Sequence, residues 1–255
     1  MVVFVIIIII LVIAYFIIMN IVNYSFLKKQ FNRCNVIVYG KKGTGKDLLF
    51  QAVIKARKKP YYANIDYGYS LEKIVSPIDL ELGTNDYKNF IHNKIEFVDK
   101  NTKPYENKDF YFSDCGIILP SQYDSSLHKD FKGFPLSYAL SRHLWLNNIH
   151  CNTQNLNRVW KALREQADFY IRMRGVVKLP FGLLLLQYTC YDRYESANQN
   201  LEPLNNRLWN DLSKVERDKY NAMNGLVCNQ WIIISKKSIK YDTRAFHNKI
   251  FGFHA

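Results

Sequence analysis

The stretch that decides the fold is NVIVYGKKGTGKDLLF, residues 35–50 of a 255-residue chain. Its first part, Asn35–Gly40, is a short β-branched run that ends at a glycine, which is typical of a buried strand. The residues that follow the glycine-rich part, LLFQAVIKARKK, have the composition and spacing of a helix. A strand, a glycine-rich loop and a helix in this order predict a phosphate-binding loop, and they disfavour the alternative of a surface turn rich in Gly and Lys.

The loop itself supplies the predicted nucleotide contacts. Its glycines allow backbone N–H groups to surround a β-phosphate, and Lys46 is placed to reach the β and γ oxygens. The N-terminus of the next helix adds its own attraction for anions. The predicted nucleotide-binding residues are Gly40, Lys41, Lys42, Gly43, Thr44, Gly45, Lys46 and Asp47.

Asp47 departs from the usual pattern, in which Ser or Thr places a hydroxyl on Mg²⁺. A carboxylate oxygen also suits a hard cation, so Asp47 is a candidate metal ligand. Its negative charge would weaken nucleotide binding unless Lys41 and Lys42 offset it. The alternative is an acidic residue in the first helical turn that interacts with the helix dipole.

Two further strands supply the other candidate residues. Asp109–Asp114 reads as a strand that ends in an acid, so Asp114 is predicted to hold Mg²⁺ through its water shell. Cys115 stands where many such hydrolases have a catalytic Glu, so no catalytic base is identified. A third strand, Ile149–Thr153, leads into Gln154, which would either sense the γ-phosphate at the ligand crevice or cap the following helix.

Three arginines are candidates for an arginine finger that reaches the γ-phosphate of a neighbouring subunit. Arg142 lies on the predicted helix Leu136–Asn147, and Arg158 and Arg164 lie on the predicted helix Leu156–Gln166. The alternative for each is a solvated helix residue.

The N-terminal segment predicts a membrane span. Val2–Met19 is a run of 18 apolar residues, and no charged side chain precedes Lys28. A helix of this length crosses a hydrocarbon core, and a globular core rarely needs so long an apolar run. A cleaved signal peptide is disfavoured because no basic region precedes the run and no small-residue cleavage site follows it. We therefore predict a transmembrane helix over residues 1–27.

The charge of the chain indicates the orientation of this helix. The net charge is +13, and +9 of it lies between Lys28 and Pro60, where Asp47 is the one acid. Basic residues directly after the span predict an N-terminus outside and residues 28–255 in the cytoplasm as the ATPase domain. Anionic lipid and bound phosphate explain this charge without a nucleic acid.

The overall composition is that of a globular protein rather than a disordered one, since 48% of residues are hydrophobic and 15% are aromatic. The five cysteines are widely spaced and form no Cys-x-x-Cys pair. This argues against a disulfide framework and against a zinc site.

The motifs together resemble the zonular occludens toxin (Zot) family, the morphogenesis ATPases of filamentous phages, which are similar to the FtsK/HerA DNA-pumping motors. The resemblance covers residues 35–247. It is carried by GKKGTGKD, FYFSDCGIILPS, SRHLWLNNIHCNTQNLNRVWKALREQADFYIRMR and WIIISKKSIKYDTRAF, and most of all by Arg142–His143, Thr153–Gln154 and Tyr241–Thr243.

This resemblance implies a RecA-like α/β fold with a mostly parallel sheet, with ATP and Mg²⁺ as ligands. By position, Gly40–Asp47 would be the phosphate loop, Asp114 the Walker B acid and Gln154 the sensor. It also implies a hexamer-like homo-oligomeric ring on the host inner (cytoplasmic) membrane. The ring would drive phage assembly and DNA export, with coat proteins and phage single-stranded DNA as partners.

Two other functions stay open at the level of sequence. One is an FtsK/HerA-type DNA translocase, which shares the fold and the motor chemistry. The other is an assembly scaffold that binds nucleotide without hydrolysing it, which the missing Glu after Asp114 favours. In the Zot-like relatives the membrane span often follows the ATPase, whereas here it precedes it; both arrangements leave the ATPase in the cytoplasm.

Overall fold

A computed structural model describes residues 2–69, 71–74, 108–118, 138, 148–199 and 213–239. Most of the predicted helix Leu136–Asn147, including Arg142 and His143, lies outside the described residues, and so does Tyr241–Thr243.

The described chain forms six α-helices and eight strands. The helices are α1 (Val2–Arg33), α2 (Lys46–Arg57), α3 (Cys115–Ile118), α4 (Lys161–Gln166), α5 (Tyr194–Asn198) and α6 (Lys214–Met223). The strands are β1 (Val36–Tyr39), β2 (Tyr61–Ala63), β3 (Leu71–Ile74), β4 (Asp109–Phe112), β5 (Ile149–Thr153), β6 (Phe169–Leu179), β7 (Leu183–Tyr191) and β8 (Leu226–Ser235).

The strands form one sheet in the order β3-β2-β4-β5-β1-β6-β7-β8. The six strands from β3 to β6 in this order are parallel, and β7 and β8 add to the edge as antiparallel strands. The prediction of a mostly parallel α/β sheet with a phosphate loop after its first strand is confirmed. Since β5 lies between β1 and β4, the residues that follow these three strands meet at one edge of the sheet.

Alternation along the strands divides the core between the two faces of the sheet. Val36 and Val38 on β1 point to one face, and Ile37 and Tyr39 point to the other. Helix α2 covers the first face with its buried apolar residues, which are Leu49, Phe50, Val53 and Ile54.

The predicted helix Leu156–Gln166 is interrupted. A 3₁₀ turn covers Leu156–Arg158, and α4 begins only at Lys161. Val159 and Trp160 between them have ψ near 135°, and the Val159 side chain is fully buried. The backbone is thus extended at this buried β-branched residue, and the predicted helix is not continuous there.

The C-terminal half of α1 packs on the sheet. Leu27 and Phe31 are fully buried in the same cluster as α2, and the Phe31 ring meets the Phe50 ring edge-on at 6.1 Å. Burial of two large apolar side chains stabilises this contact by roughly 3–6 kcal/mol.

Two asparagines of α1 bond to the outer edge of β8. The Asn20 side chain donates to the Ile233 carbonyl at 3.3 Å and accepts from the Ile233 N–H at 2.8 Å. The Asn23 amide donates to the Trp231 carbonyl at 2.6 Å, and the Phe16 ring lies 5.5 Å from the Trp231 ring. These bonds satisfy polar backbone groups of an edge strand, which otherwise stay open to pairing.

The N-terminal half of α1 is exposed along its whole length. The large apolar side chains from Val3 to Ile18 are between 45% and 70% accessible. This is the one helix in the described part of the chain that is long and apolar enough to cross a membrane. The division into residues 1–27 and 28–255 stays a prediction; the structure adds that α1 contacts the sheet from Phe16 onward.

A buried ion pair joins the end of α2 to the start of β4. The Arg57 guanidinium contacts the Asp109 carboxylate and donates to the Tyr111 hydroxyl at 2.9 Å. The Arg57 and Asp109 side chains are only 3% and 1% exposed, and Lys59 adds a contact to Asp109 at 3.1 Å. Because water hardly reaches either side chain, each charge depends on the other for its stabilisation.

Replacing Asp109 with Ala should destabilise the fold by about 3–5 kcal/mol, because it leaves the Arg57 charge buried without its partner. Thermal unfolding of the full chain in detergent would show the loss as a lower midpoint. Asp192→Ala is the matched control, since the partner of Asp192 among the described residues is Arg193 and both side chains are more than half exposed. Equal midpoints for the two variants would contradict the role assigned to the pair.

Candidate active site at the carboxyl edge of the sheet

The phosphate loop is tightly packed against β6 and β7. At Gly45, where φ is 88°, a Cβ would lie 2.5 Å from the Val176 Cγ2 and 3.2 Å from the Leu186 Cδ2. At Gly40 a Cβ would lie 2.8 Å from the Met173 carbonyl oxygen. Any side chain at these two positions would push the loop away from the sheet.

Lys46 is the first residue of α2, and its ammonium group turns back onto the loop. Its Nζ donates to the Gly40 carbonyl at 3.0 Å and to the Lys41 carbonyl at 3.2 Å. Burial lowers the pKa of Lys46, and the negative charges of Asp47 and Asp114 oppose that shift. A phosphate group entering the loop would offer this ammonium a charged partner in place of two carbonyls.

Asp47 is held by three other elements. Its Oδ1 accepts from the Asn152 amide at 2.7 Å, from the Ser113 hydroxyl at 2.8 Å and from the Tyr67 hydroxyl at 3.0 Å. Among the described residues, none donates a hydrogen bond to Oδ2 of Asp47. The carboxylate is thus oriented through Oδ1, which accepts all three of these hydrogen bonds.

Asp114 follows β4 in a left-handed conformation with φ of 52°. Its N–H donates to the Asn152 side-chain oxygen at 2.9 Å. The preceding Ser113 exchanges two backbone hydrogen bonds with the Asn64 side chain, at 2.8 and 2.9 Å. Burial raises the pKa of Asp114, and the nearby Asp47 charge raises it further, while Lys46 and Lys42 lower it.

A cavity of about 400 Å³ brings the predicted residues together. Two lysine side chains, two carboxylate side chains and Gln154 line it, so the site can take up an anion together with a cation. Its size is within the roughly 300–1,000 Å³ of small-molecule sites. Its lining includes Lys42, Gly43, Gly45, Lys46, Asp47, Asp114 and Gln154.

Gln154 also lines a second cavity of about 570 Å³. This cavity lies along the first part of the loop and includes Arg172 and Arg174 of β6. The residue that caps the following 3₁₀ turn is Asn155 rather than Gln154, because the Asn155 side chain accepts a hydrogen bond from the Asn157 N–H. Gln154 itself is exposed at the junction of the two cavities.

Cys115 does not replace the missing Glu. Its thiol is fully buried and lies 3.4 Å from the Phe112 carbonyl oxygen. Burial raises the pKa of Cys115 well above its ordinary value, so the thiol stays protonated near neutral pH. All five cysteines of the chain are free thiols.

Two of the three candidate finger arginines are described. Arg158 is exposed at the end of the 3₁₀ turn. Arg164 donates to the Asn157 side chain at 3.0 Å and lies over the Tyr194 ring at 5.0 Å. Neither lines the two cavities of its own chain, and their predicted role towards a neighbouring subunit stays a prediction.

Three residues of the site were not singled out from the sequence: Tyr67, Ser113 and Asn152. Ser113 and Asn152 lie on or next to predicted strands, one residue before Asp114 and Thr153 respectively. A polar residue near the end of an otherwise apolar strand was the available signal for both. Tyr67 follows β2 in a loop with no motif, and the sequence offers no signal for it.

Solved structures of two kinds show similarity to this chain. One is the N-terminal domain of zonular occludens toxin from Neisseria meningitidis, at 14% identity and a TM-score of 0.40, covering 69% of this chain and 96% of that one. Another is the genome packaging NTPase B204 from Sulfolobus turreted icosahedral virus 2 in complex with AMPPCP, at 15% identity and a TM-score of 0.40, covering 63% and 92%.

No family model and no curated protein matches the chain. The P-loop fold itself follows from the strand order, the loop and the helix that starts at Lys46.

Because the pKa of Asp114 is raised, we predict that nucleotide binding depends on pH. As the predicted Mg²⁺ ligand, Asp114 has to be ionised, so Mg²⁺-dependent nucleotide binding should weaken as pH falls, with a midpoint above the ordinary Asp value of 3.8. Asp47→Asn removes a neighbouring charge but keeps the Oδ1 acceptor, so it should move the Asp114 midpoint to lower pH.

The measurement is Mg²⁺-dependent binding of a fluorescent ATP analogue across pH, in the wild type and in Asp47→Asn. Protonation of the nucleotide is common to both proteins and cancels in the difference. Asp192→Asn, a change of charge on the surface, should leave the midpoint in place. A midpoint that stays fixed or rises in Asp47→Asn would show that Asp47 does not control Asp114.

Proposed function

We propose that this chain is a membrane-anchored P-loop ATPase. The observation that carries the proposal is the convergence of Lys46, Asp47, Asp114 and Gln154 on one cavity beside the phosphate loop. Lys46 neutralises phosphate charge, the loop N–H groups surround the β-phosphate, and Gln154 orients the groups around the γ-phosphate.

The residues present suit Mg²⁺ bound together with a nucleotide. Among the described residues, no three His, Cys, Asp or Glu side chains group together, so this part of the chain holds no all-protein metal cage. Mg²⁺ is usually bound by one or two carboxylates plus substrate phosphates. Asp114 and the open oxygen of Asp47 would supply those carboxylates, and the ion would neutralise charge that develops on the phosphates.

The biological role that we propose is assembly and extrusion of filamentous phage particles, with export of phage DNA through the host inner membrane. It rests on the resemblance of the motifs and on the apolar N-terminal half of α1. The hydrogen bonds from Asn20 and Asn23 to β8 favour a direct mechanical link between such a membrane helix and the ATPase sheet. A ring of copies would let an arginine of one chain reach the nucleotide of the next.

A nucleotide-binding scaffold without hydrolysis is the second candidate. Cys115 favours it, because a buried protonated thiol cannot activate water where relatives of this kind carry a Glu. In that case the site would bind ATP, and binding alone would organise the assembly.

The deciding variants are Lys46→Ala and Asp114→Ala in the full chain. Lys46→Ala should abolish nucleotide binding and particle release, since a buried ammonium beside the loop is lost. Asp114→Ala should reduce turnover by about 10²-fold or more, on the scale seen when one charge-stabilising group is removed from an active site. ATP turnover and complementation of particle release are measured on the same variants.

Lys55→Ala is the matched control, because Lys55 is an exposed lysine of the same helix α2 that does not line the cavity. Binding without turnover in the wild type, with release that still depends on Lys46, would select the scaffold. Unchanged particle release in Lys46→Ala would reject both functions. Turnover stimulated by DNA in the absence of coat protein would favour a DNA translocase.

A further inference from the structure

The hairpin between β6 and β7 ends in an apolar tip, which we define as Leu179–Leu183. Its sequence is Leu-Pro-Phe-Gly-Leu, and the Phe181 side chain at the turn is 99% exposed. Val177, next to the tip on β6, is 44% exposed. Clustered exposed apolar side chains of this kind mark contact sites for proteins or membranes.

Three lysines lie next to the tip in the register of the sheet. Lys178 precedes it on β6 and is exposed. Ser235, the last residue of β8, pairs with Leu183, the first residue of β7. The next two residues, Lys236 and Lys237, are exposed. An aromatic and aliphatic tip with a basic rim matches the chemistry of a membrane surface, where apolar groups enter and cations meet lipid phosphates.

The contacts of α1 show that the tip and the apolar half of α1 project in the same direction. Asn23 bonds to Trp231, and Asn20, one turn closer to the N-terminus, bonds to Ile233. Movement towards the N-terminus of α1 is thus movement along β8 towards Ser235. Because Ser235 pairs with Leu183, the same direction leads to the tip.

The register also gives the height of the tip along α1. Ile233, Leu185 and Val177 form one row across the three strands, and Asn20 bonds to that row. The Leu179–Leu183 pair lies two residues beyond it, about 7 Å along the strands. That rise equals about four to five residues of α-helix. The tip therefore lies beside the last turn of the apolar run that ends at Met19.

We propose that the tip Leu179–Leu183 inserts into the cytoplasmic leaflet beside α1, as a second membrane contact of the ATPase domain. This inference rests on the proposed membrane span of α1. The occupant of the tip is lipid, because the tip is apolar, points the same way as the exposed apolar half of α1 and carries lysines at its rim. The alternative occupant, a second copy of the chain, is an outcome of the test.

A second contact has a mechanical consequence. One helix leaves a domain free to turn about the helix axis, whereas a helix and a hairpin tip together fix the face turned to the membrane. The same hairpin supports the phosphate loop close to the tip, since Val176 and Leu186, which pair with each other, pack where a side chain at Gly45 would be. The nucleotide site and the tip therefore belong to one continuous pair of strands.

The test is lipid quenching of a tryptophan placed at the tip. Phe181→Trp in the full chain is reconstituted into vesicles of phosphatidylcholine and phosphatidylglycerol, with bromine on the acyl chains either near the carbonyl end or near the methyl end. Because the protein has 4 native tryptophans, the signal is the difference from the wild type. Met223→Trp is the control: Met223 is 69% exposed and precedes the start of β8, at the opposite end of that strand from Ser235.

We expect the added tryptophan at position 181 to be quenched, more by bromine near the carbonyl end than near the methyl end, and the one at 223 to be unaffected. An unquenched tip in chains that float with the vesicles overturns the tip contact and leaves the span of α1 intact. A second copy that covers the tip would give that same result. Chains that do not float with the vesicles overturn both the span and the tip contact.

Discussion

The connection between α1 and β1 is only two residues long, and it determines how the rest of the molecule is arranged. The buried Asn35 holds this connection in place through hydrogen bonds. Its N–H donates to the Asp168 carboxylate at 2.7 Å, and its side chain bonds to the Tyr138 carbonyl and to the Ile149 N–H. So short and anchored a connection makes α1 turn back over the sheet, so that its apolar half leads away from the edge where β1 begins.

The position of the candidate site follows from how α1 and α2 lie on the sheet. Helix α2 starts at the carboxyl end of β1 and runs back over the same face of the sheet, where it packs beside α1. The loop before it rests on Val176 and Leu186, one row of the hairpin away from the row to which Asn20 bonds. With α1 in the membrane, as proposed, the edge of the sheet that carries the phosphate loop would be the edge that faces the bilayer. Nucleotide binding and membrane contact would then act on the same strands.

Local patterns were enough to predict the strand, loop and helix around Lys46, and β5 was predicted with its observed bounds, because each of these elements is encoded by neighbouring residues. Long-range contacts were not predictable in this way. Asn152 is 105 positions from the Asp47 that it holds, and Asn20 is 213 positions from Ile233. In the sequence Asn20 reads simply as the end of an apolar run. Its role as a partner for an edge strand depends on a strand near the other end of the chain.

Asp47 shows why an acid is tolerated where a hydroxyl is usual. A carboxylate next to bound phosphates repels them, which is the cost expected from the sequence. In the structure, three donors converge on one oxygen of Asp47, and hydrogen bonds to an ionised group are the stronger kind. They spread the negative charge into the protein, and would spread it away from a bound phosphate. Asp47 lines the same cavity as Asp114 and Lys46. On the proposal that Mg²⁺ binds there, the ion would compensate both acids, so an acid at position 47 would change how the cation is bound rather than whether the site can bind one.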